Sequence, residues 1–134
     1  MIKSAVIKTY ETKLHRIMLH DGIIKVYAKG EELDLEGSKE VFKIFEEIAE
    51  ARRYILIDPT EDQSVSLKAQ KFTMQWLNSH DNTVAVITKN KRSKILVDAM
   101  IKLFGTKFKL KIFTDSEEAF NWLVKMRNKD LNEV

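Results

Sequence analysis

The chain predicts an α/β domain with a mixed, mostly parallel sheet, and three observations carry that expectation. Short apolar runs alternate along the sequence with amphipathic stretches of helical period. The runs Tyr54-Ile55-Leu56-Ile57 and Thr83 to Thr88 are nearly unbroken, as in parallel strands covered on both faces. An Asp21-Gly22 pair between two further apolar runs marks a hairpin ahead of the first helix.

Taken in order, the first expected strand is Leu14 to His20 and the second is Ile23 to Ala28. Gly30, Glu31 and Glu32 then break the pattern. From about Gly37 the spacing is helical, with Val41, Ile44, Phe45 and Ile48 on one face. Lys39, Glu40, Lys43, Glu46, Glu47 and Glu50 lie on the opposite, wet face. The strand beginning at Tyr54 ends at Asp58-Pro59. A second helix starts near Ser64 or Ser66 and buries Val65, Ala69, Phe72 and Trp76. Ser79 to Asn82 leads into the strand Thr83 to Thr88. Ile95, Leu96, Ala99, Met100 and Leu103 mark a third helix, with Gly105 at its C-cap. Phe108 to Phe113 alternates apolar residues with lysine, which suits an edge strand. Thr114-Asp115-Ser116-Glu117-Glu118 opens the last helix with capping side chains and first-turn carboxylates. That helix turns Ala119, Leu123 and Met126 inward, and the tail from Lys129 to Val134 is expected to fray. The order is ββαβαβαβα: one domain over residues 1–134, with an N-terminal hairpin added to a parallel sheet.

Composition narrows the function classes. A chain of 134 residues buries roughly two-thirds of its unfolded surface and needs no disulfide or structural metal. It has no cysteine, no apolar segment of signal-peptide type at Met1 to Tyr10, and no run of the roughly 18 apolar residues that span a bilayer. A cytoplasmic protein is the expectation. The balance of 23 basic against 20 acidic side chains is a mild excess, +3 in all. Its densest part is Lys89, Lys91, Arg92 and Lys94, a candidate anion-binding cluster. No aromatic is interleaved there to stack on bases, which argues against nucleic acid.

The usual catalytic constellations are missing. The four glycines, at 22, 30, 37 and 105, never share a loop, so no backbone cradle for a phosphate or dinucleotide is expected. His15 and His20 are five apart on one strand and point to opposite faces, which leaves no histidine pair for a metal. There is no Gly-x-Ser-x-Gly elbow, and the paired glutamates fall in a loop, on a wet helix face and in a helix first turn. Asp58 and Thr88 end successive strands, as in receiver domains. The acidic pair that should follow the first strand and the Lys-Pro that should follow the last are both absent. Trp76 and Trp122 are expected in the core. No enzymatic activity, cofactor or metal is expected.

In open α/β sheets, ligands and partners meet the carboxyl ends of parallel strands. Here those ends are Asp58-Pro59-Thr60-Glu61-Asp62, Thr88-Lys89-Asn90 and Thr114-Asp115, with Ser64 and Ser66 beside the first. Either serine can cap the helix that follows, or accept a phosphate that a helix N-terminus favours.

The strand order, the strand Tyr54-Ile55-Leu56-Ile57-Asp58 feeding a helix, and the closing Phe113-Thr114-Asp115-Ser116-Glu117-Glu118-Ala119-Phe120-Asn121-Trp122-Leu123 resemble the STAS superfamily. The likeness is to its SpoIIAA-like branch of small stand-alone bacterial proteins, and it runs from about Leu14 to Met126. It implies a non-enzymatic regulatory or protein-interaction module. Anti-anti-sigma factors of that superfamily bind a kinase and are switched by phosphorylation of a serine just after an aspartate. Asp58 matches the aspartate, while Pro59 and Thr60 stand where the paired serines would be and no glycine follows. The resemblance thus nominates Asp58, Thr60, Ser64 and Ser66 for contact with another protein, such as an anti-sigma kinase or sensor, or for phosphorylation. A homodimer is compatible with it. The SpoIIAA-like fold also resembles the Sec14 lipid-transfer fold, so the alternative expectation is a carrier of a small molecule or lipid.

Overall fold

Asp21 and Gly22 adopt φ of 53° and 77°, the left-handed pair that closes a two-residue hairpin. The turn joins β2 (His15–His20) to β3 (Ile23–Ala28) in antiparallel register, from His20 opposite Ile23 to His15 opposite Ala28. The structure, a computed structural model, describes residues 6–29, 32–48, 52–59 and 64–132. It adds a strand that the sequence reading leaves out: β1 (Val6–Glu11), antiparallel to β2 on the outer edge. The β-branched and aromatic run Val6-Ile7-Lys8-Thr9-Tyr10 is its local signal. Across the β1–β2 turn, the Glu11 carboxylate takes Arg16 at 2.6 Å and Lys29 at 2.8 Å. These cations, Lys29 foremost, hold its pKa below the usual carboxylate range.

After the hairpin come α1 (Leu35–Ile48), β4 (Arg53–Asp58), α2 (Leu67–Asn78), β5 (Asn82–Ile87), α3 (Lys91–Phe104), β6 (Lys109–Phe113) and α4 (Ser116–Asn132). The sheet runs β1-β2-β3-β4-β5-β6 in chain order, with β3 to β6 parallel. Each parallel step moves the same way along the sheet. Right-handed crossovers therefore put α1, α2 and α3 on one face. Helix α4 covers the other face, where Ala119 and Leu123 meet β4 and β5.

Each helix begins on a short polar side chain that accepts from the first turn. Asp34 Oδ1 accepts from the Gly37 N–H at 2.8 Å, Ser66 Oγ from Ala69 at 3.2 Å, and Asn90 Oδ1 from Ser93 at 2.8 Å. Asp115 Oδ1 accepts from Glu117 at 3.3 Å. Gly105, at φ 72°, stops α3 and donates its N–H to Ile101 at 2.8 Å.

Two cores lie back to back through the sheet. On the α4 side, Ala119 and Leu123 pack against Ile23, Tyr54, Leu56, Ala85 and Ile87. On the other side, Phe42, Phe45 and Trp76 meet Ile17, Ile24, Ile55 and Val84. The Phe42 and Trp76 rings are 4.5 Å apart, and Trp76 stacks on His80 at 4.1 Å. The Trp76 indole N–H donates to Glu46 at 3.1 Å, so this tryptophan is core, as expected. Trp122 is half-buried against Phe113.

The sequence places fraying from Lys129, yet α4 runs on to Asn132 because Asp130 is buried. The Tyr54 hydroxyl donates to Asp130 Oδ2 at 2.7 Å, and Arg52 stands 3.6 Å from the same carboxylate. Burial and that hydrogen bond push the Tyr54 phenol up to about 12. One turn earlier on α4, Arg127 donates to the Asp21 carbonyl in the hairpin turn. Tyr54→Phe should cost about 2 kcal/mol in chemical denaturation, the worth of a hydrogen bond to a charged group. In a double-mutant cycle with Asp130→Asn, the pair should cost less than the sum of the singles; strict additivity would show that the clamp contributes nothing.

Candidate functional site

Alternation along the strands sends Val26, Ile57, Val84, Val86 and Leu110 toward the three-helix face. Around α1 and α2 these residues meet aromatic rings and close packing. Around α3 they do not. None of the fourteen residues of α3 is buried, although its apolar positions stand at the spacing the sequence shows. Ile95 is 61% exposed and Leu103 64%. Between α3, the flanks of α1 and α2, and the sheet lies a cavity of about 520 Å³.

Its walls are mainly aliphatic and aromatic: Val26, Val84 and Val86 from the sheet, Phe42 and Phe45 from α1, Met74 and Leu77 from α2, Leu96 and Met100 from α3. Ile95 lines it and is exposed, so the cavity opens along that flank of α3. Pro59, Ser64, Arg92 and Ser93 line the end nearest the carboxyl ends of β4 and β5, where open α/β sheets hold their ligands.

Three polar side chains face the cavity from deeper positions. Ser38 on α1 and Thr73 on α2 pair hydroxyl to hydroxyl at 2.8 Å. One hydrogen serves that bond, and the other hydroxyl keeps its hydrogen for a further acceptor. His15, at the start of β2, is 5% exposed, and its Nδ1 has no hydrogen-bond partner. Burial, helped by the charge of Lys29, pulls its pKa down to about 4, so the ring is neutral at physiological pH. His20 faces the opposite side and stacks on Phe120 at 5.4 Å, so the two histidines diverge as their spacing requires. Among the described residues, no group of three or more histidine, cysteine or acidic side chains is placed to hold a metal.

The residues nominated by sequence are spread out rather than gathered. Asp58 is 4% exposed at the end of β4, on the α4 side of the sheet. Lys89 approaches its Oδ1 to 3.9 Å, and burial raises its pKa more than that lysine lowers it. Ser66 is the N-cap of α2, and its N–H donates to the Leu33 carbonyl at 3.0 Å. Ser64 is exposed at the cavity mouth, its carbonyl taken by the Leu33 N–H at 2.7 Å. Thr60 lies outside the described residues. Lys91, Arg92 and Lys94 form the exposed first turn of α3. Lys94 pairs with Asp98 at 2.9 Å. The sequence reading missed His15, Ser38 and Thr73 as a group, because 58 residues and three elements separate them. A serine and a threonine on otherwise apolar helix faces were the only local signal.

Comparison with known proteins bears on most of the chain. A family model for a domain of unknown function, DUF7793, matches residues 17–127. The chain belongs to the DUF7793 family. It is also similar in structure to an uncharacterized protein of the DUF3478 family from Shewanella loihica PV-4, whose crystal structure has a SpoIIAA-like fold. The two share 18% identity at a TM-score of 0.56, over 89% of this chain and 92% of that one. The SpoIIAA-like architecture expected from sequence is therefore the fold of this DUF7793 chain. No curated protein matches it. Among the described residues, no helix is long and apolar enough to cross a membrane.

Two of the buried titratable groups, His15 and Asp58, have opposite effects on pH stability. His15 is protonated in the unfolded chain near pH 6.5 and in the folded one only near 4. Its contribution is therefore intact above pH 6.5 and lost as pH falls to 4, by at most about 3 kcal/mol. His15→Leu should flatten the acid limb of the stability curve in that window; an unchanged slope would show that His15 is not buried neutral. Asp58, with its folded pKa raised, loses stability as pH climbs through that pKa. Asp58→Asn should therefore raise the melting temperature at neutral pH and not in acid, as thermal melts at the two pH values would read.

Proposed function

We propose that this DUF7793 protein binds an apolar small molecule with one polar end, holding it between α3 and the sheet without chemical change. The cavity is the single observation that carries the reading. At about 520 Å³ it falls within the range of small-molecule sites, about 300–1,000 Å³. Water is a poor filler, since each molecule needs two to four polar partners and the walls are mainly apolar. A ligand chain along Val84, Leu96 and Met100 would restore the missing contacts. Its polar end would take the spare Ser38–Thr73 hydroxyl hydrogen, and neutral His15 stands in the same wall. A carbonyl, carboxyl or hydroxyl oxygen suits that hydroxyl.

The regulatory-module reading suggested by the STAS likeness draws less support. Two of the four residues it nominates are already engaged, Asp58 by burial and Ser66 by helix capping. The carrier reading therefore takes precedence over the partner-binding one.

Native mass spectrometry of gently purified protein should show a co-purifying apolar species. A fluorescent polyene fatty acid should bind the delipidated protein and raise its melting temperature. At a hundredfold excess over Kd the gain is about 2.7 kcal/mol. Met100→Trp, which puts an indole ring into the cavity, should weaken probe binding while keeping the circular dichroism of the wild type. Absence of both a co-purified species and probe binding would refute the proposal.

A further inference from the structure

The outward face of the α2–α3 layer is rich in positive charge. Together the two helices carry the cations Lys68, Lys71, Lys91, Arg92, Lys94 and Lys102 and one acidic residue of their own, Asp98, which Lys94 engages. The neighbouring α1 is acidic, with Glu36, Glu40, Glu46 and Glu47 against Lys39 and Lys43. Positive charge is thus concentrated on two helices of a chain whose net charge is only +3. Among these cations stand three large exposed apolar side chains, Leu67 at the start of α2 and Ile95 and Leu103 on α3. Residues 95 and 103 are eight apart, two helical turns, so they share one stripe. Lysine and arginine around exposed aliphatics on a helix is the composition of a segment that lies in a membrane interface.

We infer that the α2–α3 face docks on an anionic bilayer, with Leu67, Ile95 and Leu103 in the headgroup layer and the cations against acidic lipids. The inference builds on the cavity reading, because α3 is both the outer face and the wall of the cavity. Docking would bring the flank that Ile95 opens into contact with the phase in which an apolar cargo dissolves. Two other occupants fit less well. A two-fold contact with a second copy would set this basic face against itself. A helical peptide needs an apolar groove, whereas these side chains stand apart on the outside of a helix layer.

Vesicle co-sedimentation tests the docking, and uptake of the fluorescent fatty acid in vesicle-free buffer is measured beside it. The protein should sediment with phosphatidylcholine vesicles containing phosphatidylserine and not with phosphatidylcholine alone, and raised salt should release it. Neutralising Lys91 or Lys102 to Ala should weaken binding about fivefold for each cation removed. Ile95→Ser with Leu103→Ser should weaken it at every salt concentration, and both residues are exposed enough for the fold to survive, as circular dichroism would confirm. Failure to bind phosphatidylserine vesicles would overturn the docking, and so would a dimer that the Ile95→Ser, Leu103→Ser pair dissolves in the absence of vesicle binding. Probe uptake without vesicle binding would refute the docking alone. Vesicle binding with neither probe uptake nor a co-purified species would leave the docking standing and refute the carrier reading.

Discussion

The handedness of the crossover between parallel strands is the constraint on which the rest of this structure depends. From β3 onward the chain adds strands in one direction only, and each right-handed crossover lays its helix on the same side. Three helices share one face of the sheet, and one is left for the other. The α4 side is the closer packed. Ala119 on α4 and Ala85 on β5 let helix and strand approach, and Leu123 fills the space beside them. Two clamps near its C-terminus, Asp130 under Tyr54 and Arg127 on the hairpin turn, hold that helix down.

The other face meets a different condition. Aromatic rings from α1 and α2 fill the space over β3 and β4, with Trp76 at the centre. The inward positions of α3 are Leu96, Val97, Met100 and Ile101, none of them aromatic, and Val97 packs on the edge of the core. Helix α3 therefore stands off the sheet, held by its Asn90 cap, its Gly105 stop and its contact with α2. A helix in that position has few buried contacts of its own, which places it at the low-stability end of the fold. The same helix carries much of the basic charge, so cavity, opening and charged surface are consequences of one loosely seated element.

Much of the architecture was legible in the residues. The Asp21-Gly22 turn, the unbroken strands from Tyr54 and Thr83, the Gly105 cap and the lysine-alternating edge strand all stand where periodicity and turn chemistry put them. Strand β1 was missed because an edge strand half in water has a weak apolar signal. The frayed end assigned to Lys129 gave way at Asp130, whose partner Tyr54 is 76 residues away. A carboxylate near a terminus shows nothing in sequence of the hydroxyl that buries it.

By itself, then, the sequence determined the element order, the hairpin, the caps and the direction in which the sheet grows, because these follow from local dihedral preference and hydrophobic period. It also placed Lys91, Arg92 and Lys94 together, since neighbours in the chain stay neighbours on a helix. Only the tertiary structure decided that the apolar stripe of α3 meets a void rather than a packed wall. An apolar side chain looks the same in a sequence whether it faces a close-packed core or an empty space. The difference lies in the volumes that distant elements bring to the same place, and volume is a property of the assembled layers.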